Sequence, residues 1–160
     1  MIRVLFVCLG NICRSPMAEA IFRHEVRLLQ LEEKITVDSA GTAGWHQGKP
    51  PHEGTRDQLD RYAISYEGMQ GRQVNQDDFT NFDYIIAMDD SNMEDLQAEF
   101  QLSDNVYVAK LMDFVEEPKE INVPDPYYTG NFDYTYELVT EACEQLLTFI
   151  LKKHHIDKGE

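Results

Sequence analysis

Residues 3–31, RVLFVCLGNICRSPMAEAIFRHEVRLLQL, decide how this chain folds. Arg3–Val7 is a β-branched and aromatic run without polar alternation, which reads as a buried strand. A short turn, CLGNICRS, follows, and a helix then begins near Pro16 and runs to about Leu31. Proline is tolerated in a first turn, where its missing N–H would have no helical partner. Met17, Ala20, Ile21, Val26, Leu28 and Leu29 cluster near helical spacing and predict the buried face.

The alternation continues outward from this unit. Ile35–Asp38 reads as a second strand, Ser39 to Pro51 as a loop bearing Gly, Pro and Trp, and Glu53–Tyr62 as a short helix. Tyr84–Met88 (YIIAM) reads as a third strand, Asp89–Phe100 as a helix, and Val106–Val108 as a short fourth strand. A last helix after Gly130 turns Leu138, Val139, Ala142, Leu146, Leu147 and Ile150 towards a core. Strands alternating with helices predict an α/β fold of three layers, its parallel sheet covered on both faces. The chain has 160 residues, with no repeat, low-complexity segment or linker, and suits one domain. At that size roughly 70% of the unfolded surface is buried without help from disulfides.

Charge narrows the function classes. Twenty-nine Asp and Glu against 14 Lys and Arg give a net charge of −15, which argues against a nucleic-acid partner. Residues 76–133 hold 15 acids and only Lys110 and Lys119, and read mainly as solvated surface. The first 30 residues carry Arg3, Arg14, Arg23 and Arg27 against Glu19 and Glu25, so cations gather near the first turn. The apolar run Val4–Leu9 is too short for a signal-peptide core, and nothing approaches the ~20 apolar residues of a membrane helix. Three cysteines, Cys8, Cys13 and Cys143, cannot pair without a remainder, and point to the reducing cytoplasm.

The first turn carries the chemistry. A loop between a strand and a helix N-terminus gathers backbone N–H groups and about half a positive charge, so it suits a tetrahedral oxyanion. Leu9, Gly10, Asn11, Ile12 and Cys13 form that loop; Gly10 permits an unusual backbone angle and Asn11 tolerates the left-handed region. Arg14, six residues after Cys8, closes the loop with a planar fork for two equatorial oxygens. Cys8 would lie beneath the central atom, where the same field favours its thiolate, and the Ser15 hydroxyl is placed to donate to that sulfur. No Gly-Lys-Ser/Thr follows, so this is not a nucleotide-binding loop. A lone Cys would read as a buried hydrophobe; Cys and Arg at this spacing, with Gly and Asn between and Ser after, do not.

VLFVCLGNICRSPMAEA, the later FDYIIAMD and Asp125-Pro126-Tyr127-Tyr128 together resemble the low-molecular-weight protein tyrosine phosphatases, most closely the bacterial type. The resemblance runs over nearly the whole chain in the family's order. It implies a four-stranded parallel sheet of flavodoxin-like winding with the phosphate loop after the first strand. It also implies hydrolysis of phosphotyrosine through a phosphocysteine on Cys8, with inorganic phosphate as product and neither metal nor organic cofactor. The expected partner is a tyrosine-phosphorylated protein or peptide. Residues 1–160 would be a single phosphatase domain, with a loose tail of about six residues.

The resemblance assigns Asp125 as general acid and then general base; spacing alone would leave other acids open, and prolines on both sides restrict its loop. Trp45 and Tyr127 match positions that wall the family's pocket, with Tyr128 a weaker candidate, although a lone Trp also suits core packing. Asp89 matches a carboxylate that orients the loop arginine, and reads equally as a helix N-cap. Asn11 and Ser39 match residues that brace the loop. Where many mammalian relatives carry a bracing histidine this chain has Met69, so that part of the network departs from the pattern. None of the five histidines is needed for the mechanism, and His154–His155 reads as solvated tail.

Cys13 reads either as a small loop-packing residue or as a partner that traps oxidised Cys8 in a reversible disulfide. Cys143 reads as core. Three rival readings stand beside the phosphatase. A thioredoxin-coupled arsenate reductase needs relay cysteines that are missing between Cys13 and Cys143. An arginine phosphatase tends to carry Thr where Ile12 stands, and an apolar branched residue there suits a tyrosine ring better. A non-catalytic oxyanion sensor or phosphate carrier needs no general acid, so Asp125 discriminates against it.

Overall fold

The computed structural model describes residues 1–157. Four strands, β1 (Ile2–Cys8), β2 (Ile35–Gly41), β3 (Tyr84–Ala87) and β4 (Tyr107–Lys110), form one all-parallel sheet in the order β2-β1-β3-β4. That is the flavodoxin-like winding. The chain adds β2 on one side of β1 and then crosses to add β3 on the other, so the order reverses between β1 and β3. Ligands of open parallel sheets bind beyond the strand carboxyl ends at such a reversal.

Burial on both faces explains the composition of β1. Val4, Phe6 and Cys8 face the larger core, with Tyr84, Ile86 and Met88 from the β3 region beside them. Leu5 and Val7 face the smaller one, with Ile85, Ala87, Phe79 and Leu96. The larger core is closed by α1 (Arg14–Leu28), by Leu59 of α2 (Glu53–Arg61) and by α6 (Phe132–Lys153), with Phe6 and Phe22 meeting edge to face at 5.6 Å. All six residues predicted to turn inward from the last helix are fully or nearly fully buried, as is Cys143. The smaller core lies under α3 (Asp78–Asn81) and α4 (Asp90–Glu99).

Several expectations needed correction. α1 begins at Arg14, two residues before Pro16, and ends at Leu28, after which Gln30 adopts a left-handed φ of 58°. Leu28 is exposed, while Ala18 and Phe22 are buried instead. The fourth strand starts after Val106, which is buried ahead of it, and runs on to Lys110. Three single-turn elements had no signal of their own: α3, α5 (Pro126–Thr129) and a 3₁₀ turn at Leu111–Phe114. One turn is too short for apolar periodicity to register.

His154 and His155 are both exposed, as expected of the tail, but His154 is tied down: its Nε2 lies 2.7 Å from the Tyr84 hydroxyl, and Ile156 packs on the larger core. The rest of the expected loose tail, residues 158–160, lies outside the described residues. No helix among the described residues is long and apolar enough to cross a membrane.

Candidate active site

The turn after β1 is held by its carbonyls. The Cys8 and Leu9 carbonyls accept from Thr42 and Ala43 N–H, each at 2.9 Å, and the Ile12 carbonyl from His52 N–H at 2.7 Å. The Thr55 hydroxyl donates to the Cys13 carbonyl at 3.0 Å. With the carbonyls turned outward, the amides of Gly10, Ile12 and Cys13 find no acceptor among the described residues. Cys13 stands at the N-cap of α1 without a side-chain cap, so the first N–H groups of that helix also remain available. The result is an anion cradle of amides and a helix dipole, with Cys8 at its base.

Asn11 takes the strained position, at φ 55°, whereas Gly10 does not have a left-handed φ. The left-handed region is therefore used by Asn11 and not by Gly10. A Cβ at Gly10 would meet the His46 ring at 3.1 Å, a tight contact that the ring would have to relieve by a few tenths of an ångström. The Asn11 side chain offsets its own backbone strain with three bonds. The Arg72 amide donates to Oδ1 at 2.9 Å, which fixes the amide orientation, and Nδ2 then donates to Ser15 Oγ at 2.8 Å and Ser39 Oγ at 3.0 Å. The Ser15 proton is thereby left for Cys8 Sγ at 3.0 Å, with the Ala40 carbonyl a weaker alternative at 3.4 Å. Asn11 N–H also donates to Cys8 Sγ, at 3.3 Å.

Arg14 is almost wholly buried. One nitrogen, Nη1, donates to Asp89 Oδ2 at 2.6 Å and the Val123 carbonyl at 3.0 Å; the other, Nη2, reaches Asp125 Oδ2 at 3.3 Å. Burial pulls this guanidinium down, but Cys8, Asp125 and Asp89 more than offset that and hold it above its ordinary value. The two readings of Asp89 are both correct, one oxygen each: Oδ1 caps α4 by accepting from Asn92 N–H at 2.8 Å, while Oδ2 orients Arg14.

Asp125 arrives from far along the chain through a bond between Val123 N–H and the Met88 carbonyl at the end of β3. Its Oδ1 caps α5 by accepting from Tyr127 N–H at 3.0 Å. Above the cradle opens a cleft with Cys8, Leu9, Gly10, Ile12 and Cys13 at its base. Asp125 is at its rim, and Trp45, His46, Tyr127 and Tyr128 are its walls. Trp45 is 67% exposed, which excludes the core-packing alternative. Burial, followed by the Asp125 and Cys8 charges, pushes the Cys13 thiol up to about 12, so it is neutral beside Cys8. All three cysteines are unpaired.

The structure thus brings together every predicted site residue, with Ser39 and Ser15 behind the loop and the rest lining or closing it. Sequence reading missed His46 in the wall and Arg72 behind Asn11. Arg72 also pairs with Asp78 at 3.0 Å and Asp38 at 3.1 Å, but its distance in sequence from the loop gave no signal. Met69 makes no polar bond to the network and packs half-buried against the larger core; the bracing at that side runs from Ser39 into Glu19 instead. Among the described residues no group of three or more His, Cys, Asp or Glu is placed to hold a metal ion.

A parallel α/β sheet with an oxyanion loop at the β1–β3 reversal, holding Cys and Arg opposite an Asp, defines a cysteine-dependent phosphatase class. The pattern of the family described as low molecular weight phosphotyrosine protein phosphatase matches residues 3–156, and this chain belongs to that family. It is 53% identical over 156 residues to the low molecular weight protein-tyrosine-phosphatase YfkJ of Bacillus subtilis, covering 98% of this chain and 100% of the relative. The crystal structure of YfkJ superposes with a TM-score of 0.93 over 96% of both chains, at 54% identity. The likeness to PtpA of Staphylococcus haemolyticus is 46% over 162 residues, covering 99% of this chain and 100% of the relative. A drosophila arginine phosphatase superposes at 0.84 with 35% identity, over 92% of this chain and 96% of the other.

Proposed function

We propose that this chain is a metal-independent protein-tyrosine-phosphatase, acting through Cys8, Arg14 and Asp125. The observation that carries the reading is that Asp125, from far along the chain, meets the turn holding Cys8 and Arg14: it shares one cleft with Cys8 and lies 3.3 Å from Arg14. The Cys8 thiolate attacks phosphorus opposite the ester oxygen. The S–P bond forms as the P–O bond breaks, and the leaving phenolate takes the proton of Asp125. Water then attacks the phosphocysteine, Asp125 accepts its proton, and the P–S bond breaks to free inorganic phosphate. The Ser15 hydroxyl hydrogen-bonds the returning thiolate.

Arg14 holds two equatorial oxygens throughout, and its 3.3 Å contact with Asp125 gives way as phosphate enters. The substrate is a phosphotyrosyl protein or peptide. Ile12 at the base and Trp45 and Tyr127 in the walls support an aromatic ring over a guanidinium. Residues 1–160 act as one phosphatase domain. A cytoplasmic setting is supported by three unpaired cysteines, and exclusion of nucleic acid and anionic membrane by the charge of −15.

The test is metal-free hydrolysis of phosphotyrosine, phosphoserine and phosphoarginine by wild type, Cys8→Ser and Asp125→Ala. Phosphotyrosine turnover that Cys8→Ser abolishes and Asp125→Ala cuts by ~10²-fold is expected. Phosphate binding without turnover of any ester would replace the enzyme with an oxyanion sensor or carrier. The likeness to an arginine phosphatase favours one second reading. Preference for phosphoarginine would keep the mechanism and change the substrate.

A further inference from the structure

The hydrogen-bonded chain behind Cys8 continues past Ser39 into α1. Ser39 Oγ accepts from Asn11, so its proton goes to Glu19 Oε1 at 2.6 Å. Glu19 is 5% exposed, an unusual place for a carboxylate. Its other oxygen, Oε2, accepts from Arg23 Nη2 one helical turn on, and the same nitrogen donates to the Val37 carbonyl at 3.0 Å. Val37 lies two residues before Ser39 on β2, so Arg23 ties α1 to the strand that carries the brace. Every proton in this chain has a direction: Ser39 donates towards Glu19, Asn11 towards both serines, and Ser15 towards Cys8. The Arg72 amide fixes the Asn11 direction, and Glu19, as the acceptor at the far end, fixes that of Ser39, which leaves Ser39 Oγ free to accept from Asn11.

Burial pushes the Glu19 carboxyl up, and Arg23 and Ser39 oppose that push. Facing Glu19 are Arg23 on its own helix and Ser39 and Asp38 from β2. Asp38 adds to the upward push and is itself paired with Arg72. Arg27 and Glu67 line the cleft outside. Arg23 is thus the cation in direct contact with Glu19, and its side chain is only 26% exposed.

We propose that Arg23 is a positioning residue: by keeping Glu19 a carboxylate acceptor, it holds the Ser39 proton on Glu19 and Ser39 Oγ open to Asn11 Nδ2, and so steadies the Asn11 amide that the Arg72 N–H orients and that turns Ser15 towards Cys8. The kinetic arm of this inference rests on the phosphatase reading; the chemical arm does not. The experiment compares wild type, Arg23→Gln, Arg23→Lys, Glu19→Gln and the double variant Glu19→Gln/Arg23→Gln between pH 5 and 8. Arg23→Gln removes the charge and shortens the side chain, and Arg23→Lys, which keeps the charge, controls for the lost guanidinium; the side chain lies at the part-exposed edge of the site, so the variants fold.

Two readouts are taken: kcat and KM on an aryl phosphate, and the rate of Cys8 carboxymethylation by iodoacetate, read on the Cys8 peptide by mass spectrometry. In Arg23→Gln, kcat at pH 6 falls on the order of 10-fold and recovers as pH rises and Glu19 ionises. Cys8 alkylation follows the same displaced acid limb. Arg23→Lys restores both. Glu19→Gln is low without the displaced limb, and adding Arg23→Gln to it costs nothing more. An acid limb unmoved in Arg23→Gln in both readouts overturns the proposal, as does an equal loss with and without Glu19. A wild type that hydrolyses no aryl phosphate sinks the phosphatase reading alone, because alkylation still decides the role of Arg23.

Discussion

Asp89→Asn separates two jobs that one side chain performs. Asparagine is as good an N-cap as aspartate, so the bond from Asn92 N–H survives and α4 loses nothing. On the other side, an amide replaces the anion 2.6 Å from Arg14 Nη1, leaving a nearly buried cation with the Val123 carbonyl and the longer Asp125 contact. Removing one partner of a buried pair costs about 3–5 kcal/mol. The Asp89 side chain is 22% exposed, so water shares part of that loss, and about 2 kcal/mol is the expected destabilisation. Asp89→Ala loses the cap as well and should cost about 1 kcal/mol more. Urea unfolding of wild type and both variants measures these differences. Steady-state kinetics should show kcat/KM down by ~10–10²-fold in Asp89→Asn, because a guanidinium fork out of plane no longer meets two oxygens. If Asp89→Asn stays within about 0.5 kcal/mol and twofold in kcat/KM, the Arg14–Asp89 bond does not orient the clamp.

Three further outcomes follow from the same geometry. The Cys13 thiol rises from an ordinary 9.0 to about 12, so the folded state holds its proton more tightly; the stability it adds is present below pH 9 and is lost as pH climbs towards 12. Denaturant curves at pH 10 should show wild type weaker than at pH 7 by on the order of 1 kcal/mol from this group, a slope missing in Cys13→Ser. After peroxide treatment the same variant should fail to recover activity with thiols, and full recovery would leave Cys13 a loop-packing residue only. Gly71→Ala puts a Cβ 2.5 Å from the His46 carbonyl, so the segment carrying Trp45 must move. A loss of about 1–3 kcal/mol in stability and a rise in KM larger than the fall in kcat are expected. An unchanged KM would show that the wall position is not set there.

The central unit was legible because its signals are local. A doubly buried strand must be apolar throughout, and Cys8, Asn11, Arg14 and Ser15 sit within one loop and the turn after it. Gly10 shows the limit of that reading: its residue type was informative, but the left-handed φ falls on Asn11, and the His46 ring that lies against Gly10 is one no local pattern can place. The same limit hid Arg72, 61 residues from Asn11, and the double use of Asp89, which shows only when β3 delivers it beside Arg14. Leu28 was misplaced for a different reason. α1 is buried nearly all round between Arg14 and Phe22, against the loop and α6, so its inward stripe is not uniform along its length.

The acidic half of the chain acquires a second meaning in the fold. Read as a string, residues 76–133 are a solvated surface, and most of their acids do face water. Three do not act that way: Asp89 and Asp125 close on Arg14, and Asp78 closes on Arg72 behind Asn11. The arginines of the loop region would be costly to bury alone, since an unpaired cation loses its hydration without recompense. The sheet solves this by topology. Because β3 lies against β1, the segments after it end where the first turn ends, and they deliver Asp89 and Asp125 to Arg14. These anions restrain Arg14 without saturating it, and the 3.3 Å contact with Asp125 is the one that an incoming phosphate can replace. The charge asymmetry along the sequence is therefore a folding device as well as a surface property: it makes the first turn a clamp only after the second half of the sheet has docked.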